Sequence, residues 1–477
     1  MRRIFLALVC AFCADAASPV HSYVNSHQQE ILGEFTELLA IPNVASDAAN
    51  IVRNADAVRR AMVARGIQTR LLETPGAPPV ILGELPVTGA TRTLIFYAHY
   101  DGQPVDNKDW TITAPFKPLQ RDVKGEPRLY GRSTSDDKAA IIAMLAAVDA
   151  LKASNAARTS NLKFIFEGEE EAGSPHLQEI VHDNAQLLAG DVWLICDGPV
   201  YQNGQQQVYF GARGISALEI TVFGPNHEIH SGHYGNWAPN PAMMLARLLA
   251  SMKSDDGRIL VQGFSRGIEP LSATEKRALS AAPDVDGILR NELGIGATEV
   301  TGRKLVELIN EPSLNVNGLQ SAGVGALARN VIPSKAIASI DCRLVKGMNP
   351  KEIFDDIVQH VKKQGYTVAT NADAQPTGAN FATVVYKTGY AAARTSMDLP
   401  ISKQVVAAIE AVRGPVVRMP TLGGSVPLYI FEQELHAPMI GIPIANHDNN
   451  QHSANENIRL RNLWDGIETM AALMTMN

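Results

Sequence analysis

The sequence predicts an α/β protein of two domains, the second a compact α+β unit inserted into the first. Three observations carry this. Up to Asp197, apolar runs of strand composition alternate with amphipathic helical stretches. From about Arg213 the order becomes strand, helix, strand, strand, helix, as in an α+β unit. Beyond about residue 378 helices and a strand-like run return, so the two ends of the chain are expected to share one domain. A chain of 477 residues exceeds one typical domain, and a 45% hydrophobic fraction is ample for two cores.

Residues 26–40 place Ile31, Phe35, Leu38 and Leu39 at helical spacing, and Ile41-Pro42 ends that helix. A second helix covers about 49–65, followed by Gly66, and ILGEL reads as a strand. The stretch TLIFYAHYDGQPV, 93–105, is an apolar strand that stops in His99 and Asp101. Two potential metal or proton ligands thus stand at one strand's carboxyl end, where open α/β sheets bind ligands. Residues Trp110 to Leu129, with Pro115, Pro118 and Pro127, read as loop. Next, Asp136 and Asp137 directly precede a helix from Lys138 to Lys152 with a stripe of Ile141, Ile142, Leu145, Val148 and Leu151. Acidic residues there also suit a helix cap.

NLKFIFEGEEEAGS is a strand, Leu162 to Phe166, ending in Glu167, Glu169, Glu170 and Glu171. Successive carboxylates repel unless they point into water or a cation lies between them. DVWLICDGP is a fourth strand, ending at Asp197. In the inserted unit, ISALEITVFG alternates as a half-exposed strand should, and HEIHSGHYGNWAPNP carries three histidines. A helix (Ala242 to Met252), a weakly patterned stretch to about 312, AIASIDCRLV and a helix from Lys351 to Gln364 follow. The return brings a helix (Lys403 to Val412), Gly423 and Gly424 in LGGSVP, PMIGIPI, a polar run with His447 and His452, and a last helix from Ile458 to about Met474.

The formal charge of −7 is mild and no Lys/Arg block stands out, which argues against nucleic acid and anionic lipid as partners. MRRIFLALVCAFCADAAS has the basic, apolar, A-x-A order of a secretory leader, so residues 1–16 are expected to be a cleaved signal peptide and the protein secreted or periplasmic. Cys196 and Cys342 then remain, each in an apolar run, and read as buried small hydrophobes. No other stretch is long and apolar enough for stable membrane insertion.

Singly these acidic and histidine positions are weak signals. Together they put His99/Asp101, Asp136, Glu170/Glu171 and Asp197 at the ends of successive elements, with His452 near the chain's end. Histidines at both extremes with carboxylates between suit two divalent ions a few ångströms apart, sharing one carboxylate and one water. Such a water loses its proton near neutral pH, and a free glutamate beside it can act as general base. That chemistry hydrolyses amides.

The strings HYDGQPV, GRSTSDDK, EGEEEAGS, HSGHYG, LARNVIPSKAIASIDCRLV, GGSVP and HSANE, in this order, resemble the M20 family of metallopeptidases, above all its carnosinase-like and nonspecific dipeptidases. The resemblance implies a doubly wound catalytic domain with a central mixed sheet, over 17–212 and 379–477, interrupted by a smaller α+β lid and dimerisation domain over 213–378. It implies His99 and Asp197 on one metal, Glu171 and His452 on the other, Asp136 bridging, and a cis peptide between Asp136 and Asp137. Glu170 would be the general base, and Asp101 would hold His99 in its metal-binding tautomer. Glu170 and Glu171, rather than Glu169, take these roles by their distance from Ala172-Gly173-Ser174. His230 matches the histidine that polarises the scissile carbonyl in a neighbouring subunit's site. Arg343, Gly424 and Ser425 match groups that hold the substrate's carboxylate, and Asn330 falls where a polar contact crosses the dimer. Gly131-Arg132-Ser133 and Lys138-Ala139-Ala140 depart from the family's usual glycines, which touches loop shape and not the ligands.

The function implied is a two-metal exopeptidase acting on dipeptides or short peptides, as a homodimer. An N-acyl amino acid deacylase using the same site, and a catalytically silent binding protein, are the alternatives. The donor set suits zinc, while manganese and cobalt fit it too. His227, His233 and His447 lie near motif residues. His21, His27, His176, His182, His360 and His436 are expected to be structural.

Overall fold

The computed structural model describes residues 18–476. The large sheet and the inserted sheet use thirteen strands. The first six are β1 (Gln68–Leu72), β2 (Val80–Leu85), β3 (Thr93–His99), β4 (Asn161–Glu167), β5 (Val192–Ile195) and β6 (Gln207–Tyr209). The inserted unit supplies β7 (Gly214–Phe223), β8 (Ser313–Gln320), β9 (Lys335–Leu344), β10 (Thr367–Ala369) and β11 (Phe381–Tyr390). The chain ends with β12 (Val417–Met419) and β13 (Met439–Gly441).

The large sheet has the order β1-β2-β4-β3-β5-β13-β6-β12 and is mixed. Its centre, β4-β3-β5-β13, is parallel. These strands are buried on both faces, which is why their sequences are continuous apolar runs. Because β4, β3 and β5 run the same way, they deliver Glu167, His99 and Ile195 to one edge, and the residues just beyond are the acidic ones. In the register, His99 lies opposite Glu167.

One face is covered by α1 (Pro19–Leu39), α2 (Ala48–Ala64) and α3 (Lys138–Ala153), joined by two later helices, Pro400–Arg413 and Leu460–Met474. Residues 138–148 of α3 are all buried. Its run of alanines lets α1 and the last helix approach from both sides. Trp193, Tyr97 and Phe431 organise the other face, the Trp193 and Phe431 rings stacking at 4.1 Å.

The inserted sheet has the order β8-β9-β7-β11-β10, with helices Pro241–Ala250 and Pro350–Lys363 packed on it. In β9 every second residue is buried, the alternation its sequence predicts. The chain crosses between domains beside Gly214, where a Cβ would come within 2.5 Å of the Tyr390 carbonyl oxygen. Only glycine fits there.

Three details differ from expectation. The stretch read as loop before Leu129 contains a hairpin, Leu119–Val123 with Glu126–Tyr130. It is charged and largely exposed, so it lacks alternation, and its turn rests on positive φ at Lys124 and Gly125. The insertion does not end at 378: β11 pairs with β7 along its length, so 381–390 belongs to the inserted sheet. FATVVYKTGY is a strand by composition, and composition does not say which sheet it joins. Finally, part of the insertion folds back, with Leu279, Ala282, Val285 and Val306 entering the catalytic core. The signal peptide expected at 1–16 lies outside the described residues. Cys196 and Cys342 are buried and unpaired, as expected.

Candidate active site

His99 ends β3 fully buried, its ring held between two carboxylates. Nδ1 lies 3.2 Å from Asp101 Oδ1, and Nε2 lies 2.9 Å from Asp136 Oδ1. Asp101 does more than orient the ring. Its two oxygens accept the backbone N–H groups of Glu170 (3.1 Å) and Glu171 (3.0 Å), so one buried side chain fixes both the histidine and the glutamate turn. Glu169 points elsewhere, accepting from His176 at 2.9 Å and 3.0 Å.

Asp136 sits between the two histidines. Oδ1 faces His99, and Oδ2 lies 3.1 Å from His452 Nε2, which is also 3.3 Å from Glu171 Oε2. Donor atoms of His99, Glu170 and Asp197 lie within 4.8 Å of one another, and so do those of Asp136, Glu171 and His452. The peptide between Asp136 and Asp137 is cis. Asp137 occupies the cap position of α3 without a side-chain cap bond, so capping does not account for the acidic pair.

Glu456, which reasoning from composition missed, holds the loop that presents Asp136. Its buried carboxylate accepts from Arg132 Nη1 (2.7 Å), the backbone N–H groups of Ser133 (2.9 Å), Ser135 (2.9 Å) and Asp136 (3.1 Å), and the Ser135 hydroxyl (2.8 Å). The loop presenting Asp136 is thereby wrapped around a residue four positions after His452. The last letter of HSANE was the available signal. Gln103 was also missed; its Nε2 donates to Glu171 at 2.7 Å.

The electrostatics ask for cations. Burial pushes Glu170 well above the usual carboxylate range, Glu171 up to about 8 and Asp197 up to about 6, with neighbouring carboxylates adding to the rise. Burial also raises Asp136, but the imidazoles of His452 and His99 beside it outweigh that and hold it low. Asp136 Oδ2 is buried and lacks a hydrogen-bond partner of good geometry, although His452 Nε2 is close. Imidazole and carboxylate lone pairs converging on shared gaps in a low-dielectric pocket fit divalent ions.

A cavity of about 570 Å³ opens from Asp136, Glu170, Asp197 and His452 and reaches Arg343, Gly424 and Ser425. Arg343 Nη1 donates to Ser425 Oγ at 2.9 Å, and that hydroxyl donates to the Arg213 carbonyl at 2.9 Å. Burial, then the Arg343 charge, lowers the Arg213 guanidinium to about 10. Two neighbouring guanidiniums make this end attractive to an anion.

His230 and Asn330 are not brought to this cavity. Both lie exposed on a small ribbon of the insertion, where Ser231 N–H donates to the Asn330 carbonyl and His230 Nδ1 accepts from Gly232. His227 and His233 are on the same exposed loop, whereas His447 lies 3.9 Å from Glu292. Of the histidines expected to be structural, His176, His182, His21 and His360 bond Glu169, Glu434, Glu468 and Ser251 respectively.

Residues 95–476 match the peptidase family M20/M25/M40. The chain is 26% identical to the Cys-Gly metallodipeptidase of Saccharomyces cerevisiae, over 97% of this chain and 98% of that protein. It is 29% identical to the human Beta-Ala-His dipeptidase, over 83% of this chain and 76% of the other. Among solved structures, an M20 family metallo-carboxypeptidase from Sulfolobus solfataricus superposes with a TM-score of 0.80 at 25% identity, covering 94% of this chain and 99% of its own. These comparisons go against the secreted or periplasmic location expected from residues 1–16, a segment that lies outside the described residues. Among the described residues, no helix is long and apolar enough to cross a membrane. A match over most of the chain, on a fold and donor set of this kind, means that the chain belongs to peptidase family M20/M25/M40.

Proposed function

We propose that this metallopeptidase is a two-metal exopeptidase that cleaves the amide bond next to a free carboxylate in dipeptides and short peptides. The observation that carries the reading is the pair of donor triads, one of them containing Asp136, in a cavity that also reaches Arg343 and Ser425. His99 with Asp197, and Glu171 with His452, would each hold one divalent ion, with Asp136 between them. Zinc suits these donors best, and manganese and cobalt are the alternatives. When bound, the ions polarise the scissile carbonyl and make water acidic.

The chain's own groups do the rest. Arg343 Nη1 and the Ser425 hydroxyl hold the substrate carboxylate and so fix the scissile carbon near Glu170. Glu170 Oε takes a proton from the attacking water and gives it to the leaving nitrogen. Asp101 keeps His99 oriented and the Glu170–Glu171 turn in place. The inserted β-unit would act as a lid and dimer contact. Its edge strand β8 exposes Val316 and Leu319, and the nearby Val324 is 83% exposed, a surface suited to a second copy. His230 and Asn330 would then serve the neighbouring subunit's site.

The test is hydrolysis of a peptide panel by metal-loaded protein, with and without chelator, beside Glu170→Gln. Activity lost on chelation and reduced by several orders of magnitude in the variant is expected. Indifference to chelation, or a full rate in Glu170→Gln, refutes it.

A further inference from the structure

Arg343 does not stand free at the cavity's edge. Its Nε donates to Asp341 Oδ2 at 3.2 Å, and Nη2 lies 3.1 Å from the same oxygen. Nη1 donates to Ser425 Oγ at 2.9 Å. Asp341 and Arg343 are two positions apart on β9, so their side chains leave the same face of the inserted sheet. The strands beside β9 put Ile215 and Ser313 opposite Arg343. Ser313 Oγ in turn accepts from Arg213 Nη2 at 2.7 Å, which brings a second guanidinium to this end of the sheet. Arg213 is 8% exposed, its Nε is buried without a partner among the described residues, and its Nη2 also donates to the Glu311 carbonyl at 3.2 Å. Burial disfavours the cationic form of Arg213 most, the Arg343 charge adds to that, and the Asp341 charge opposes both. One carboxylate thus serves two guanidiniums, and the cluster keeps one positive charge for a ligand.

A guanidinium carries five N–H groups on a rigid planar fork. Asp341 occupies the Nε–Nη2 edge and Ser425 one N–H of Nη1, so one N–H on each Nη stays open. The end of the fork, Nη1 with Nη2, is therefore the edge left for the two oxygens of a carboxylate. Without Asp341 the Arg343 side chain would regain rotamers, and repulsion from Arg213 would favour those turned away from it. Resting on the exopeptidase reading above, we propose that Asp341 is a positioning residue for substrate recognition: it holds Arg343 so that the Nη1–Nη2 end meets the terminal carboxylate of the peptide. Asp341 acts through Arg343 and not on the reacting atoms. Its effect is on binding of the carboxylate, equal in the ground state and the transition state.

Kinetics of zinc-loaded protein on Phe-Ala and on its C-terminal amide test this. Asp341→Ala should raise KM for Phe-Ala by about tenfold, the effect of having to order one long side chain on binding, while kcat changes by less than about twofold. The amide offers no carboxylate and should keep its wild-type kcat/KM. Asp341→Asn retains an accepting oxygen at the Nε–Nη2 edge and should bring KM to within about twofold of wild type. Asp341→Glu keeps the charge but displaces the oxygen by one methylene, and should raise KM by about fivefold. A merely structural role would lower kcat and move both substrates alike. That result overturns the proposal, as does an unchanged KM in folded Asp341→Ala or Asp341→Glu, and neither touches the exopeptidase reading. A wild type that cleaves the amide as fast as Phe-Ala, or cleaves neither, overturns both.

Discussion

Replacing Glu456 probes whether the metal donors depend on one buried residue that touches no substrate. The carboxylate takes five hydrogen bonds from the 132–136 loop, three of them from backbone N–H groups. Arg132, its charged partner, is 2% exposed, so water does not replace what Glu456 supplies. Bonds to a charged acceptor contribute about 1.5–3 kcal/mol each, but they act as a unit and do not add. Removing one partner of a buried pair costs about 3–5 kcal/mol, and that is the loss of stability expected for Glu456→Ala. Glu456→Gln keeps the shape and part of the acceptor capacity, so a loss of about 1–3 kcal/mol is expected. The same loop presents Asp136, so Glu456→Gln should lower metal affinity by about 10–100-fold while the protein stays folded. Denaturant titration gives the first quantity and calorimetric metal titration of folded Glu456→Gln the second. Metal affinity equal to wild type in that folded variant would refute the reasoning that the loop is held from Glu456.

His99→Ala should bind one equivalent fewer of metal, whereas Asp101→Ala should keep both at reduced affinity and rate; equal stoichiometries by metal analysis would undo that division. Asp101→Ala also frees the Glu170 and Glu171 N–H groups, so its denaturant midpoint should fall further than that of His99→Asn. Arg343→Ala should raise KM for carboxylate-bearing substrates by about 10–100-fold, the loss of one charge-assisted contact of about 1.5–3 kcal/mol; a C-terminally amidated peptide should show no such difference. Burial raises the Asp448 carboxyl, but bonds from Arg459, Arg128 and Asn446 hold it well below the usual range. Its contribution to stability is therefore present above about pH 4 and lost as pH falls through the folded value. Asp448→Asn should cost about 1–2 kcal/mol at pH 7, discounted for partial exposure, and the gap to wild type should narrow at pH 3 in urea melts.

Much of the site was legible because its chemistry is local in sequence. Strand ends and the loop after them carry His99, Asp101, Glu170, Glu171 and Asp197, and a parallel sheet delivers such ends to one edge whatever the details of packing. The two-domain order was legible for a similar reason, since alternation and helical periodicity change where the insertion begins. Tertiary structure decided the rest. That Asp101 serves the glutamate turn as well as His99, and that Glu456 holds the loop of Asp136, depends on hydrogen bonds between segments far apart in the chain. The same holds for Phe381–Tyr390, whose strand character is local but whose partner is Gly214–Phe223. Ile309 of the insertion packs over Gly423, where an added Cβ would lie 3.3 Å from its Cδ1, and no periodicity in either segment encodes that meeting. Local propensity and hydrophobic pattern are written residue by residue, whereas burial, register and the approach of distant carboxylates exist only once the chain has folded.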